Sequence, residues 1–283
     1  MTFNTIKYSV EDSVGTITLY RPDQMNAITY ESIFEIVEAL NQADQDDSVR
    51  VVIVTGAGKA FCAGADLSGA NFDYSAVSVF AHRDEGGIIA MRIFDMKKPV
   101  IAAINGTAAG VGATMTLPMD IRIVSEKAKV GFVFASRGII NEAGSGWFLP
   151  RIVGIAKAME WVATGRLVKS DELLSSGFAT YVVPPEEVYP KAVEIATEIV
   201  RNTAPVSVAL SRQLMWRMLG EREPMVSHKI ESMIMQWIGT TKDAKEGIES
   251  FLEKRPAMYT MKPSEEMPPF YPWWDVREFP KTL

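Results

Sequence analysis

The chain has 283 residues, 47% hydrophobic and 23% charged, enough apolar material for one large globular domain or one domain with an appendage. Its formal net charge of −6 argues against nucleic acid as the main partner. The single cysteine, Cys62, excludes an intramolecular disulfide and a cysteine-based metal cluster, and the two histidines, His82 and His228, stand far apart without ligand spacing, so no metal site is expected. Residues 1–10 lack an apolar h-region, and no run approaches the roughly 18 apolar residues of a membrane span. Residues 281–283 fall short of a peroxisomal tripeptide. The expected location is the cytoplasm.

In chain order, 13–20 alternates β-rich residue types and predicts a strand. After a loop, Thr29 offers an N-cap for a helix through about 43, with Ile33, Ile36, Val37 and Leu40 on one face. Residues 44–47 break it. The near-continuous apolar run 49–55 predicts a strand buried on both faces, hence a right-handed βαβ crossover. A small-residue turn follows over 56–67. It contains Gly58-Lys59, but Ile53 and Ala60 stand where a phosphate loop needs glycine and Ser or Thr.

Residues 68–87 are polar and patternless, and a loop near a site is expected there. A helical pattern resumes over 87–95. The Lys97-Lys98 pair reads as a solvated edge before the next buried strand, 99–105. The stretch 101–120 then runs from strand through small residues into an apolar segment long enough for a helix starting near Gly110. Such a helix start could aim free N–H groups at an anion, or could simply be tightly packed. Gly110-Val-Gly lacks the third glycine of a dinucleotide fingerprint, since Met115 stands there.

Strands are predicted over 120–124 and 130–134. From 155 onward the chain reads as helices at 156–164, 170–176, 186–202, 205–219, 225–238 and 241–253. Ile230, Met233, Ile234, Trp237 and Ile238 are too many apolar residues for a free surface helix, which fits a subunit interface or packing onto its own domain. The expected organisation is an α/β core over 1–203, a helical region over 204–258 and an irregular Pro/Trp-rich tail over 259–283.

One acid, Glu142, lies among Ile139, Ile140, Ala143, Gly144 and Trp147. Two glycine-rich turns at strand ends could present N–H groups to one oxyanion, and Glu142 could reach the same place. Such a set suits proton removal next to a carbonyl, with the enolate held in place. Burial among Ile139, Ile140 and Trp147 would raise the Glu142 pKa. The competing reading is that Glu142 caps the helix containing Trp147. Cys62 reads as a buried small residue rather than a nucleophile, and Asp66 as a helix cap.

Ala60-Phe-Cys-Ala-Gly-Ala-Asp-Leu, followed by Ala102-Ala-Ile-Asn-Gly-Thr-Ala-Ala-Gly-Val-Gly, resembles the enoyl-CoA hydratase/isomerase (crotonase) superfamily. The strand before the first motif and Ala244-Lys-Glu-Gly-Ile-Glu-Ser-Phe-Leu-Glu-Lys-Arg near the end are similar too. The resemblance covers about residues 5–258. It implies an α/β spiral of ββα turns with a C-terminal α-helical trimerisation region. It also implies an acyl-CoA substrate, no metal and no cofactor apart from the CoA of the substrate, and a homotrimer or dimer of trimers. By position, the oxyanion-hole N–H groups are those of Ala65 and Val111. Ala63, Asp66, Leu67, Ser68 and Gly110 match CoA- or substrate-binding positions, and Phe251 and Lys254 match positions that reach the CoA of a neighbouring subunit.

The departures are informative. The two glutamates of a typical hydratase are replaced by Thr114 and by the pair Val133-Phe134. Glu142 instead falls where a subset of 3,2-enoyl-CoA isomerases place a single acid, and Asn141-Glu-Ala-Gly echoes their turn. The resemblance therefore implies an enoyl-CoA isomerase. Hydratase is the alternative, followed by a thioester or C–C bond hydrolase or a non-catalytic acyl-CoA binder.

Overall fold

A computed structural model describes residues 2–68, 82–277 and 279. Among these, the strands are β1 (Ile6–Glu11), β2 (Val14–Leu19), β3 (Val51–Gly56), β4 (Ala60–Cys62), β5 (Val100–Ile104), β6 (Thr107–Ala109), β7 (Ile121–Ser125), β8 (Lys129–Gly131), β9 (Leu167–Lys169) and β10 (Tyr181–Val183). The helices are α1 (Tyr30–Gln45), α2 (Glu85–Asp95), α3 (Val111–Thr114), α4 (Ser145–Val153), α5 (Ile155–Thr164), α6 (Ser170–Ser175), α7 (Val188–Asn202), α8 (Pro205–Met218), α9 (Pro224–Ile238) and α10 (Lys242–Glu253).

Two sheets organise them. The larger has the order β1-β2-β3-β5-β7-β10, parallel except for the β1–β2 pair. The smaller has the order β4-β6-β8-β9. Each turn of the chain lays one strand in the large sheet, one in the small sheet, then a helix: β3-β4-α2, β5-β6-α3, β7-β8-α4. This is the expected spiral of ββα turns.

The continuous apolar run of β3 serves both faces of its sheet. Val52 and Val54 join the main core, while Val51 and Ile53 pack against α7 through Ala192 and Ile195. Local signals set the helix starts. Thr29 caps α1 through the Ser32 N–H, with Ser32 returning the bond. Thr241 caps α10 through the Ala244 N–H. Gly165 ends α5 in a left-handed conformation.

Three expectations need correction. The apolar segment after Gly110 is a single turn of helix, α3, continued only by tight turns to Asp120. Pro118 cannot extend a helical ladder, and the carbonyls of Thr116, Leu117 and Met119 bond instead to the buried Arg122 guanidinium. The pair Lys97-Lys98 is no solvated edge. Lys98 is buried, and its ammonium donates to the Ala43 and Asp46 carbonyls at the end of α1. The strand expected at 130–134 is β8, and β1, β9 and β10 were not expected. Of the loop expected at 68–87, residues 69–81 lie outside the described residues, as do 281–283. The segment from Met261 to Trp273 lies across α8 and α9, with Met261, Phe270 and Tyr271 against Val206, Leu210 and Ile234. Among the described residues no helix is long and apolar enough to cross a membrane.

Candidate active site

The parallel register that aligns Thr55 with Ala103 brings the two glycine-rich turns together. Asn105 ties them further, accepting from Gly56 N–H and donating to the Gly58 carbonyl. Gly64 and Gly110 then meet almost Cα to Cα: a Cβ on Gly110 would lie 3.6 Å from Gly64 Cα. Both adopt positive φ, 114° and 55°, which side chains resist. Each is followed by the residue of interest, Ala65 and Val111. Among the described residues neither N–H has a backbone acceptor. Ala65 pairs with Ile28 as an isolated bridge, in which Gly64 O and Asp66 N bond to Ile28. Val111 opens α3, where the first N–H has no intrahelical partner. One turn of helix has little macrodipole, so any anion here would be held by individual N–H groups.

Glu142 approaches α3 from the loop before α4. Ala143 and Gly144, both with positive φ, turn the chain into that helix. The capping reading fails: Asn141 bonds Ser145 Oγ, and the N-cap residue of α4 is Gly144. The Glu142 carboxyl points to α3, where Thr114 Oγ1 donates to Oε1. Thr114 thus holds an acid supplied by another turn of the spiral. Phe134, which the resemblance matches to the second acid of a hydratase, is a buried apolar side chain.

On the far side stands α2. Asp84 is its N-cap, accepting the Gly87 N–H at 2.9 Å. A Cβ on Gly86 would overlap Glu142 Oε2 and stand 3.1 Å from Val111 Cγ2, so only glycine leaves room for the carboxyl beside Val111. The helix is clamped at its other end, where the buried Arg212 donates to the Ile93, Phe94 and Met96 carbonyls and to Asp120.

The Glu142 pKa is pushed up to about 8, first by burial and then by the neighbouring Asp84 carboxyl, with the Thr114 bond working against both. The source of that burial differs from expectation. Ile139 is exposed and Ile140 is 85% exposed, so neither encloses the carboxyl. Gly86, Val111 and Thr114 do. Asp84 and Gly86 were invisible as site residues, because 68–87 carries no pattern. The one available signal was an N-cap residue followed three positions later by Gly87.

The remaining residues singled out from sequence are spread along the rim. Asp66 caps no described helix. It bonds Ser68 N–H and Oγ and pairs with Arg21 at 2.8 Å, and these partners hold its pKa down to about 2. Leu67 and Ser68 are exposed, and Ala63 is half-buried. Cys62 is buried and its thiol is pushed up to about 12 by burial, which fits a packing residue. Phe251 and Lys254 lie at the end of α10, both exposed within one chain, with Lys254 in a left-handed cap.

A family model for enoyl-CoA hydratase/isomerase matches residues 9–262. The chain belongs to the enoyl-CoA hydratase/isomerase family. Its relatives include Enoyl-CoA hydratase ACTT3 of Alternaria alternata, 42% identical over 86% of this chain and 82% of the relative. Another is 1,2-epoxyphenylacetyl-CoA isomerase of Escherichia coli, 32% identical over 89% and 97%. A crystal structure of enoyl-CoA hydratase from Bacillus anthracis superposes with TM-score 0.83 at 33% identity, covering 90% of this chain and 99% of that one. The family has members named for hydration and for isomerisation, so membership leaves the reaction open, and the site must supply the choice.

Proposed function

We propose that this family member is an acyl-CoA thioester enzyme working through an enolate, and specifically an enoyl-CoA isomerase moving a double bond from C3 to C2. The carrying observation is the Glu142 carboxyl, fixed by Thr114 beside Val111, while the two hydratase acid positions hold Thr114 and Phe134. In this reading the thioester oxygen sits between the Ala65 and Val111 N–H groups. Glu142 takes the proton from C2, and the electron pair passes through the dienolate oxygen. The same carboxylic acid then delivers the proton to C4, leaving the double bond at C2. A general base contributes roughly a hundred- to ten-thousand-fold, and one oxyanion donor about 3 kcal/mol.

Ala63, Asp66, Leu67, Ser68 and Gly110 are assigned to the CoA and substrate side of the site. No metal or redox cofactor is needed for the chemistry. Phe251 and Lys254 are assigned to the CoA of a neighbouring subunit in a homotrimer or dimer of trimers. The support for assembly is the apolar surface that one chain leaves open on α9 and α10 and just beyond, at Met235, Ile248, Phe251, Leu252 and Met258.

Hydration is the second reading, favoured by the names of the fungal relatives. Incubation with 3-hexenoyl-CoA, crotonyl-CoA and a saturated acyl-CoA separates the cases. A rise in conjugated-enoyl absorbance on the first substrate alone is expected. Loss of absorbance on crotonyl-CoA makes the protein a hydratase, release of free CoA makes it a hydrolase, and tight binding without conversion makes it a binder.

A further inference from the structure

Two carboxyl groups meet at the start of α2, and isomerisation by one acid does not require the second. Glu142 Oε2 rests against Gly86, and Asp84 lies over the adjacent Gly87, whose N–H it accepts. Glu142 Oε2 is buried and finds no hydrogen-bond partner among the described residues, although the Asp84 carboxyl lies within hydrogen-bond reach. Two ionised carboxylates at that separation have nothing to bond with and repel each other. A single proton between them removes both problems, because it turns one oxygen into a donor for the other.

The surroundings favour this assignment. From α2, Asp84 and Glu85 are the charged groups facing Glu142, and both are acidic. Glu85 is engaged by the Tyr30 hydroxyl at 2.9 Å. From α3 come Val111 and Thr114, neither of which carries charge. Asp84 cannot swing away without giving up the cap of α2.

We propose that Asp84 is a positioning residue that shares a single proton with Glu142, the two carboxyls seated side by side against Gly86 and Gly87. This rests on the reading of Glu142 as acid and base. On substrate binding the shared proton moves to Asp84, and Glu142 takes the C2 proton as the C2–H bond breaks. The pair then holds two protons and no charge, and the negative charge resides on the dienolate. Return of one proton to C4 restores the starting pair.

The test compares wild type with Asp84→Asn, which keeps a capping oxygen and removes the acid. Asp84→Ser serves the same purpose if the first variant folds poorly. Infrared difference spectra across a pH titration follow the carboxylic-acid band of Glu142, identified by its disappearance in Glu142→Gln. In wild type the band should persist to near pH 8. In either Asp84 variant its midpoint should fall by at least about one pH unit, and kcat/KM for 3-hexenoyl-CoA should decline as pH falls through that lower midpoint, whereas wild type, with Asp84 to take the proton, should show no such decline near pH 8. A midpoint that stays put overturns the proposal, and so does a wild-type kcat/KM that declines as pH falls through about 8. Full turnover by Glu142→Gln would overturn the functional reading instead. The shared proton itself is decided by the titration, which needs no substrate.

Discussion

Replacing Glu142 by Gln should cost activity and add stability, and the stability gain should depend on pH in a defined direction. Folding raises the Glu142 pKa from 4.5 to about 8, with burial as the largest cause. The folded chain therefore keeps a proton that the unfolded chain has lost over the interval between those values. A raised carboxyl supports the fold fully below 4.5 and loses that support as pH rises through about 8. At about 1.4 kcal/mol per pH unit, the whole displacement sets a ceiling of roughly 5 kcal/mol. The Glu142 residue as a whole is only half-buried, so a change of about 2 kcal/mol is the working expectation. Gln has nearly the same shape, still accepts from Thr114 and cannot ionise. The quantity to measure is the difference in urea-unfolding free energy between Glu142→Gln and wild type, at pH 5 and pH 9 and equal protein concentration. That difference should grow in favour of the variant by about 2 kcal/mol, while turnover falls by at least about a hundredfold. A difference that is the same at both pH values would refute the idea that the fold holds this carboxyl protonated.

Gly86→Ala adds a methyl where Glu142 Oε2 sits, so the flexible carboxyl has to move and Val111 Cγ2, 3.1 Å away, has to give slightly. Turnover should drop by about a hundredfold, while the midpoint of thermal unfolding stays level or rises, since Ala favours a helix over Gly by up to ~1 kcal/mol. Thr114→Val removes the donor to Oε1 without changing volume. It should lower kcat by about ten- to a hundredfold, a bond to a charged group being worth roughly 1.5–3 kcal/mol, and move the acid limb of the pH profile upward, because Thr114 holds the Glu142 pKa down. Arg212→Leu removes the charged partner of Asp120 and the guanidinium donors to the Ile93, Phe94 and Met96 carbonyls, leaving a hole in a buried network. Denaturant titration should show a loss of about 3 kcal/mol or more.

The long helices were legible because their signals are local. The 3.6-residue apolar spacing of α1, its Thr29 cap and the glycine ending α5 lie within one window each. The buried strands β3 and β5 were equally clear as continuous apolar runs. Short edge strands were not. In β1 only Ile6 is fully buried, so the outer face leaves almost no pattern to find. The segment after Gly110 failed for another reason. Its composition suits a helix, but a buried arginine from β7 takes up the carbonyls that a helix would need. Glu142 could be placed by its turn, whereas its partners could not. Thr114 lies 28 residues away and was noted only as the absence of an acid. Asp84 and Gly86 come from yet another turn of the spiral, and only the stacking of those turns brings the three together.

That convergence bears on which reaction the site suits. Hydration needs one group to activate water and another to serve C2, with the water between them. Asp84 is the only second carboxyl that hydrogen-bond reach puts beside Glu142 among the described residues. It is held by the Gly87 N–H, next to the Gly86 against which Glu142 Oε2 rests. In the proposal the two carboxyls work as one unit. One such unit can accept a proton at C2 and return it at C4 on the same face of the substrate, with Thr114 keeping Oε1 oriented throughout. In that proposal Asp84 stores the proton that Glu142 sets aside before it acts.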